Sequence, residues 1–290
     1  MKISVCLECF NQGRLNDRRL DIFSAIKKAA EMGFEGVEFF GFGLPLDSPQ
    51  AAAKARELKK ACADAGLPIA SYTVDSDFLW APGGWEAEVK RLQGEVKLAA
   101  ELGVYRMRHD GTRGFPEGHK GPTDFAAALP TLVEGCRAVT EFAAGFGIKT
   151  MVENHGFFVQ DSIRCEQLVR GVDHENFGSL VDFGNFLCAD EDSLSAVKRM
   201  APYAFHCHVK DFHVKPAGAP DPGKGWFRSR GGAYLRGAIV GHGQVDVPGC
   251  IAALKTAGYK GFASIEFEGM EDSILGLQVG LENMRRYMQG

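Results

Sequence analysis

Short β-branched and apolar runs alternate along this chain with longer amphipathic stretches, and glycine repeatedly marks the return from the second kind to the first. That alternation is the pattern of repeated strand–helix units, which build a parallel sheet covered by helices. The candidate strands are Ile3–Glu8, Gly36–Phe40, Pro68–Thr73, Tyr105–Arg108, Lys149–Glu153, Ser179–Asp182, Ala204–His208 and Phe262–Glu266. Eight units predict a (β/α)8 TIM barrel, and 290 residues suffice for one without a second domain, because such barrels typically take about 250. The expectation is one α/β domain over residues 1–290.

Between the strands, Val89, Leu92, Val96 and Ala99 fall on one face of a helix ending near Leu102. A second helix is expected within Asp124–Gly147, with Pro130 either kinking it or marking its start. Gly33, Gly66, Gly103, Gly147 and Gly258 stand where a left-handed residue ends a helix. A doubly wound open sheet shows similar alternation, but no Gly-x-Gly-x-x-Gly turn follows the first strand, which favours the barrel. After the seventh strand, Phe212–Val245 reads as a long loop rich in Gly, Pro and Arg, placed like a lid, with Pro248 opening the next helix.

Composition narrows the function classes. A formal charge of −4 and the lack of a long Lys/Arg run argue against a nucleic-acid partner and for a small-molecule one. No stretch approaches the roughly 18 apolar residues of a membrane helix, and Met1–Leu7 does not read as a signal peptide. The expected location is therefore cytoplasmic. There the eight cysteines are expected as unpaired, buried small hydrophobes. Cys6-Leu7-Glu8-Cys9 has redox spacing but closes a strand and does not open a helix, so no redox or zinc role is assigned to it.

Each of the last four candidate strands ends in a group that can bind a metal: Glu153, Asp182, His208 and Glu266. In a barrel the C-terminal strand ends surround one mouth, where groups distant in sequence converge. Taken singly, each is an ordinary strand-end polar residue, bonded to loop backbone or paired with Arg or Lys. Taken together, at equivalent positions after buried apolar residues, they make one shared divalent cation the better account. Three carboxylates and one imidazole suit Mn²⁺, with Mg²⁺, Co²⁺ and Zn²⁺ also compatible.

Several motifs carry a family resemblance: Phe34-Glu35-Gly36-Val37-Glu38, Val152-Glu153-Asn154-His155-Gly156, Asp182-Phe183-Gly184-Asn185, His208-Val209-Lys210-Asp211 and Ser264-Ile265-Glu266. Over nearly the whole chain the sequence resembles the xylose isomerase-like barrels, which include sugar-phosphate isomerases and epimerases, ketose 3-epimerases, inosose dehydratases and endonuclease IV. In order and spacing these motifs are similar to the family's Glu, Asp, His, Glu metal set. The chain departs from the endonuclease IV branch. Its third strand ends near Tyr72 and not His, Asn185 stands where that branch has His, and no Asp-x-His occurs in Phe212–Gly243; only His109 offers a match.

The resemblance implies a sugar isomerase or epimerase acting on a ketose, an inosose or a related keto-sugar through a metal-stabilised enediolate. Glu153 and Glu266 would each be both ligand and acid/base. A dehydratase on the same scaffold is the alternative, and a non-catalytic carbohydrate-binding barrel is the rival from outside enzymology. His155, Asn185, Lys210, Arg236 and His109 are candidate substrate contacts, although His155 and Asn185 serve equally as loop residues bonded to nearby backbone. Lys210 and Asp211 also suit a role orienting the ligands. Glu8 and Glu38 divide evenly between structural pairing and substrate contact, and His206, one layer below His208, reads as a hydrogen-bonded core histidine. Trp80, Trp85 and Trp226 read as cover for apolar surface, any one of which can stack on a sugar ring. The cations of the long loop, Lys215, Lys224, Arg228, Arg230 and Arg236, leave open whether the substrate is phosphorylated. Pairing of barrel faces into a homo-oligomer is a weaker expectation.

Overall fold

The computed structural model describes residues 1–11, 20–46 and 48–289. Eight parallel strands close into a barrel: β1 (Lys2–Cys6), β2 (Gly36–Phe40), β3 (Ile69–Val74), β4 (Arg106–His109), β5 (Lys149–Glu153), β6 (Phe177–Asp182), β7 (Ala204–Val209) and a last strand, Phe262–Ile265, that pairs with both β7 and β1. Before that last strand the chain forms a separate antiparallel sheet of β8 (Asp211–Lys215), β9 (Phe227–Arg228) and β10 (Tyr234–Ala238), which makes the last strand β11. The stretch after β7 thus carries structure of its own, with Phe212 and Leu235 packed on Cys188 in a small apolar cluster apart from the main core.

All eight candidate strands form, two of them with the predicted ends, Gly36–Phe40 and Lys149–Glu153. Leu7 and Glu8 belong instead to a 3-10 turn, Leu7–Asn11, that buries Leu7, Cys9 and Phe10. Six helices start on side-chain caps. Asp21, Ser48, Asp124, Asp161, Asp192 and Asp246 accept from first-turn backbone N–H groups of α1 (Ile22–Met32), α2 (Pro49–Asp64), α4 (Phe125–Ala144), α5 (Ser162–Val172), α7 (Ser193–Met200) and α8 (Val247–Thr256). The intervening α3 is Trp85–Leu102, α6 is a single turn at Asn185–Cys188, and α9 is Ser273–Gln289. The five expected glycine joints all have positive φ. Pro130 lies inside α4, which begins at Phe125, and Pro248 sits in the first turn of α8.

Strand alternation decides what faces the barrel axis. Arg108, Glu153, Asp182, His208 and Glu266 point inward at the C-terminal end, while Met107, Val152, Val181 and Cys207 turn outward into the core against the helices. The layer beneath is polar. Ser4 and Ser264 hydroxyls meet at 2.6 Å, and Glu38 reaches across the barrel to His206 and His208 on β7.

Asp211 ties the small sheet to the barrel. Its carboxylate accepts from the backbone N–H groups of Phe212, Gly241, Gly243 and Val245 at 2.8–3.1 Å. The approach is close enough that a Cβ on Gly243 would lie 2.1 Å from Asp211 Oδ1, so glycine is required there. Asp211→Ala strands up to three N–H groups of the returning turn, and we expect a loss of about 2–4 kcal/mol. The midpoint of urea unfolding, at unchanged slope, checks this.

Candidate metal centre

Glu153, Asp182, His208 and Glu266 converge as their strand ends imply. One ligand atom of each lies within 4.8 Å of the others, and all four residues are buried. His208 Nδ1 stands 2.9 Å from Glu266 Oε2, 3.6 Å from Glu153 Oε1 and 3.9 Å from Asp182 Oδ2. Asp182 Oδ2, His208 Nδ1 and Glu266 Oε2 are buried and make only ion-pair contacts, none of them an aligned hydrogen bond. Polar atoms without an aligned hydrogen bond are rare inside proteins, and three converging on one point fit the donor set of a cation. The residues therefore fit a divalent metal with oxygen and nitrogen donors.

Neighbouring groups fix each ligand's orientation. Glu38, fully buried, holds His208 Nε2 at 3.0 Å, which leaves Nδ1 to face the centre. Glu38 also accepts from Thr73 Oγ1 at 2.6 Å and contacts His206 Nε2 at 2.9 Å, so its role is structural pairing and His206 is the expected core histidine. The N–H groups of Gly184 and Asn185 donate to Asp182 Oδ1 at 2.8 and 2.9 Å, turning Oδ2 inward. Asn154 locks β5 to β6 through paired bonds to the Asp182 backbone, and Gln160 holds the Asn185 carbonyl at 2.8 Å.

Two buried cations balance the carboxylates. Arg108 Nη2 lies 2.6 Å from Glu153 Oε2 and 2.7 Å from Asp110 Oδ1; Lys210 Nζ lies 3.0 Å from Glu266, 3.3 Å from Glu268 and 3.4 Å from Asp182. Burial pushes Glu153 and Glu266 toward neutrality. Arg108 and His208 nevertheless hold Glu153 below the usual carboxylate range, and Lys210 and His208 hold Glu266 well below it. Asp182 goes the other way. Burial, with Glu266 and Glu153 adding to it against Lys210 and His208, pushes its carboxyl up to about 8. Burial disfavours charge on His208, but Glu38 and Glu266 outweigh it and raise the imidazole well above its ordinary value.

The candidate substrate contacts fare unequally. Asn185 is buried, donating to Glu153 Oε1 at 3.1 Å and lying 3.3 Å from Lys210 Nζ, so it joins the centre. His155 sits half-exposed at the mouth with Nδ1 3.0 Å from Asp110; partial desolvation disfavours its charge, but that carboxylate outweighs it and raises the imidazole. Arg236 lies on the small sheet, 5.6 Å from the Trp226 ring and 3.5 Å from Glu271, and contacts none of the four ligands. His109 is a correction: it faces outward from β4, fully buried between Phe78 and Phe177, with Nδ1 bonded to the Asp110 carbonyl. Its neighbour Arg108 takes the inward position that His109 was expected to fill. Glu8 faces the mouth near Asp75 and Glu266, whose charges add to burial in raising its carboxyl. Trp80 is half-exposed on the loop after β3, its indole N–H donating to the Gly114 carbonyl at 2.8 Å.

Residues 26–287 match the family model described as xylose isomerase-like TIM barrel. The chain belongs to that family. Over 251 residues it is 25% identical to the inosose dehydratase of Geobacillus thermodenitrificans, covering 84% of this chain and 80% of that one. In fold it is similar to the probable 3-DHS dehydratase of Bacillus anthracis (TM-score 0.75, 19% identity, 98% and 99% of the two chains). It is also similar to a xylose isomerase-like TIM barrel protein of Mycobacterium smegmatis in complex with magnesium (TM-score 0.72, 18% identity, 99% and 96%).

With the Asp182 carboxyl pushed up to about 8 and the His208 imidazole raised, a cation binding at this centre would compete with protons on both. We expect about one to two protons released per metal bound, and affinity rising from pH 6 to 8. Calorimetry in buffers of different ionisation enthalpy measures the release; enthalpies independent of buffer would contradict it. Glu38→Gln should weaken metal binding about 10–100-fold, as read by competition with a chelating dye.

Proposed function

We propose that this protein is a divalent-metal-dependent isomerase or epimerase of a small polyol ketone, a ketose or an inosose, working by proton removal next to the carbonyl. The carrying observation is the pair of glutamates on one centre, Glu153 held by Arg108 at 2.6 Å and Glu266 by Lys210 at 3.0 Å. The ligand set of Glu153, Asp182, His208 and Glu266 suits Mn²⁺ best, with Mg²⁺, Co²⁺ and Zn²⁺ compatible. When bound, such a cation polarises a carbonyl and its neighbouring hydroxyl, lowering the cost of the charge that develops as the carbon between them loses its proton.

The chain's own groups move that proton. Glu153 and Glu266 come from β5 and the end of β11, which lie apart in the barrel order with β6 and β7 between them. One glutamate takes the proton and the other returns one on the opposite face, which inverts the carbon. Arg108 and Lys210 hold the two carboxylates in place, and Asn185 bridges them by bonding Glu153 and facing Lys210. His155 and Arg236, at the mouth, are the groups nearest to hand for substrate oxygens farther from the reacting carbon. A reducing compartment such as the cytoplasm suits eight buried, unpaired cysteines.

One observation favours a second reading, a dehydratase. Lys210 is a buried ammonium, raised well above its ordinary value because Glu266, Glu268 and Asp182 outweigh its burial. Such a group can assist a leaving hydroxyl, and the inosose dehydratase relative points the same way. Both readings share the first step. In D₂O, with Mn²⁺ and a panel of ketoses and inososes, the protein should exchange deuterium at the α-carbon, and Glu153→Gln or Glu266→Gln should each slow this by about 10²–10⁴-fold. A recovered epimer or isomer identifies the first reading, and ultraviolet absorption of an unsaturated ketone the second. Exchange unaffected by both substitutions would refute the two together.

A further inference from the structure

The opposite end of the barrel holds a second concave site with a different chemistry. A cavity of about 870 Å³ opens there, lined by Lys2, Arg106, Lys149 and Lys260 and by no aspartate or glutamate. Lys2, Arg106 and Lys149 are the first residues of β1, β4 and β5, and Lys260 stands two residues before β11, so strand starts converge them as strand ends converge the metal ligands. In a chain of net charge −4 this is a local concentration of one sign, and its volume falls within the roughly 300–1,000 Å³ of small-ligand pockets.

A bland account has such cations satisfied by carboxylates or by the helix C-terminal carbonyls that gather at this end. The contacts do not support it. Among the described residues, none of the four side chains makes an ion pair or a hydrogen bond to protein, and Arg106 Nε is buried without a partner. Aromatic rings flank three of them instead: Arg106 lies 4.6 Å from the Tyr105 ring, Lys149 4.8 Å from Phe205 and Lys2 6.0 Å from Phe262. Cations held in place but left uncompensated repel one another, and a bound multivalent anion removes that repulsion.

We propose that this floor is a binding site for a small phosphate-bearing anion, separate from the metal centre. A phosphate group brings two charges and several acceptor oxygens in a small volume, which matches the Arg106 fork and flanking ammonium groups. The proposal does not rest on the reaction assigned to the mouth.

Glycerol 2-phosphate, a weak metal chelator, is the probe, titrated calorimetrically into the metal-loaded full chain at low ionic strength. One saturable site per chain is expected, weakening as salt approaches about 0.15 M. The double variant Lys149→Glu, Lys260→Glu changes two exposed rim residues, so folding should survive, checked by unchanged metal affinity. Its affinity for the probe should drop about tenfold or more. The proposal is overturned if the native chain shows no saturable binding, if the double variant binds equally well, or if chain association, followed by light scattering, accounts for the loss.

Discussion

Burying three carboxylates around one point is the constraint on which the rest of this protein depends. Each would pay heavily for leaving water alone, and all three would repel one another. The barrel meets the cost with His208 at the centre, Arg108 and Lys210 on the flanks, and backbone N–H groups on the far oxygen of Asp182. Three atoms of different strands, Asp182 Oδ2, His208 Nδ1 and Glu266 Oε2, face the common centre without an aligned hydrogen bond. Ligand atoms from four strands gathered at one point make a site organised to receive a cation.

The polar layer beneath serves the same end. Glu38, Thr73, His206, Ser264 and Ser4 form a connected set inside the barrel, where many barrels place aliphatic side chains. Such a network is a weak source of stability, because desolvation offsets what its bonds return. Its effect is on orientation: it presents one face of the His208 ring to the mouth. The network thus ties β2, β3, β7 and β11 to the ligand geometry.

Much of the site was legible in the sequence because each ligand ends its own hydrophobic strand. Glu153, Asp182, His208 and Glu266 follow buried residues at equivalent positions, and a closed barrel does the rest. Arg108 and His109 show where that reasoning stops. In Arg106-Met107-Arg108-His109 three of four residues are polar, so local pattern does not say which alternate pair faces inward. The register of β4 with β3 and β5 settles it, sending Arg108 to Glu153 and His109 into the helix layer. Arg236 marks a related limit, since the small antiparallel sheet sets its direction and the intervening glycines and prolines read only as loop.

The sequence by itself determined the eight strand–helix units, their glycine joints and the four ligand types, because these depend on neighbours within a few residues along the chain. Tertiary structure alone decided which cation balances which carboxylate, that Glu38 orients His208 from across the barrel, and that four strand starts gather unpaired cations on one floor. Those outcomes follow from closure and register, which bring together groups as far apart as residues 38 and 208. No local preference encodes a contact that exists only once the first and last strands have met.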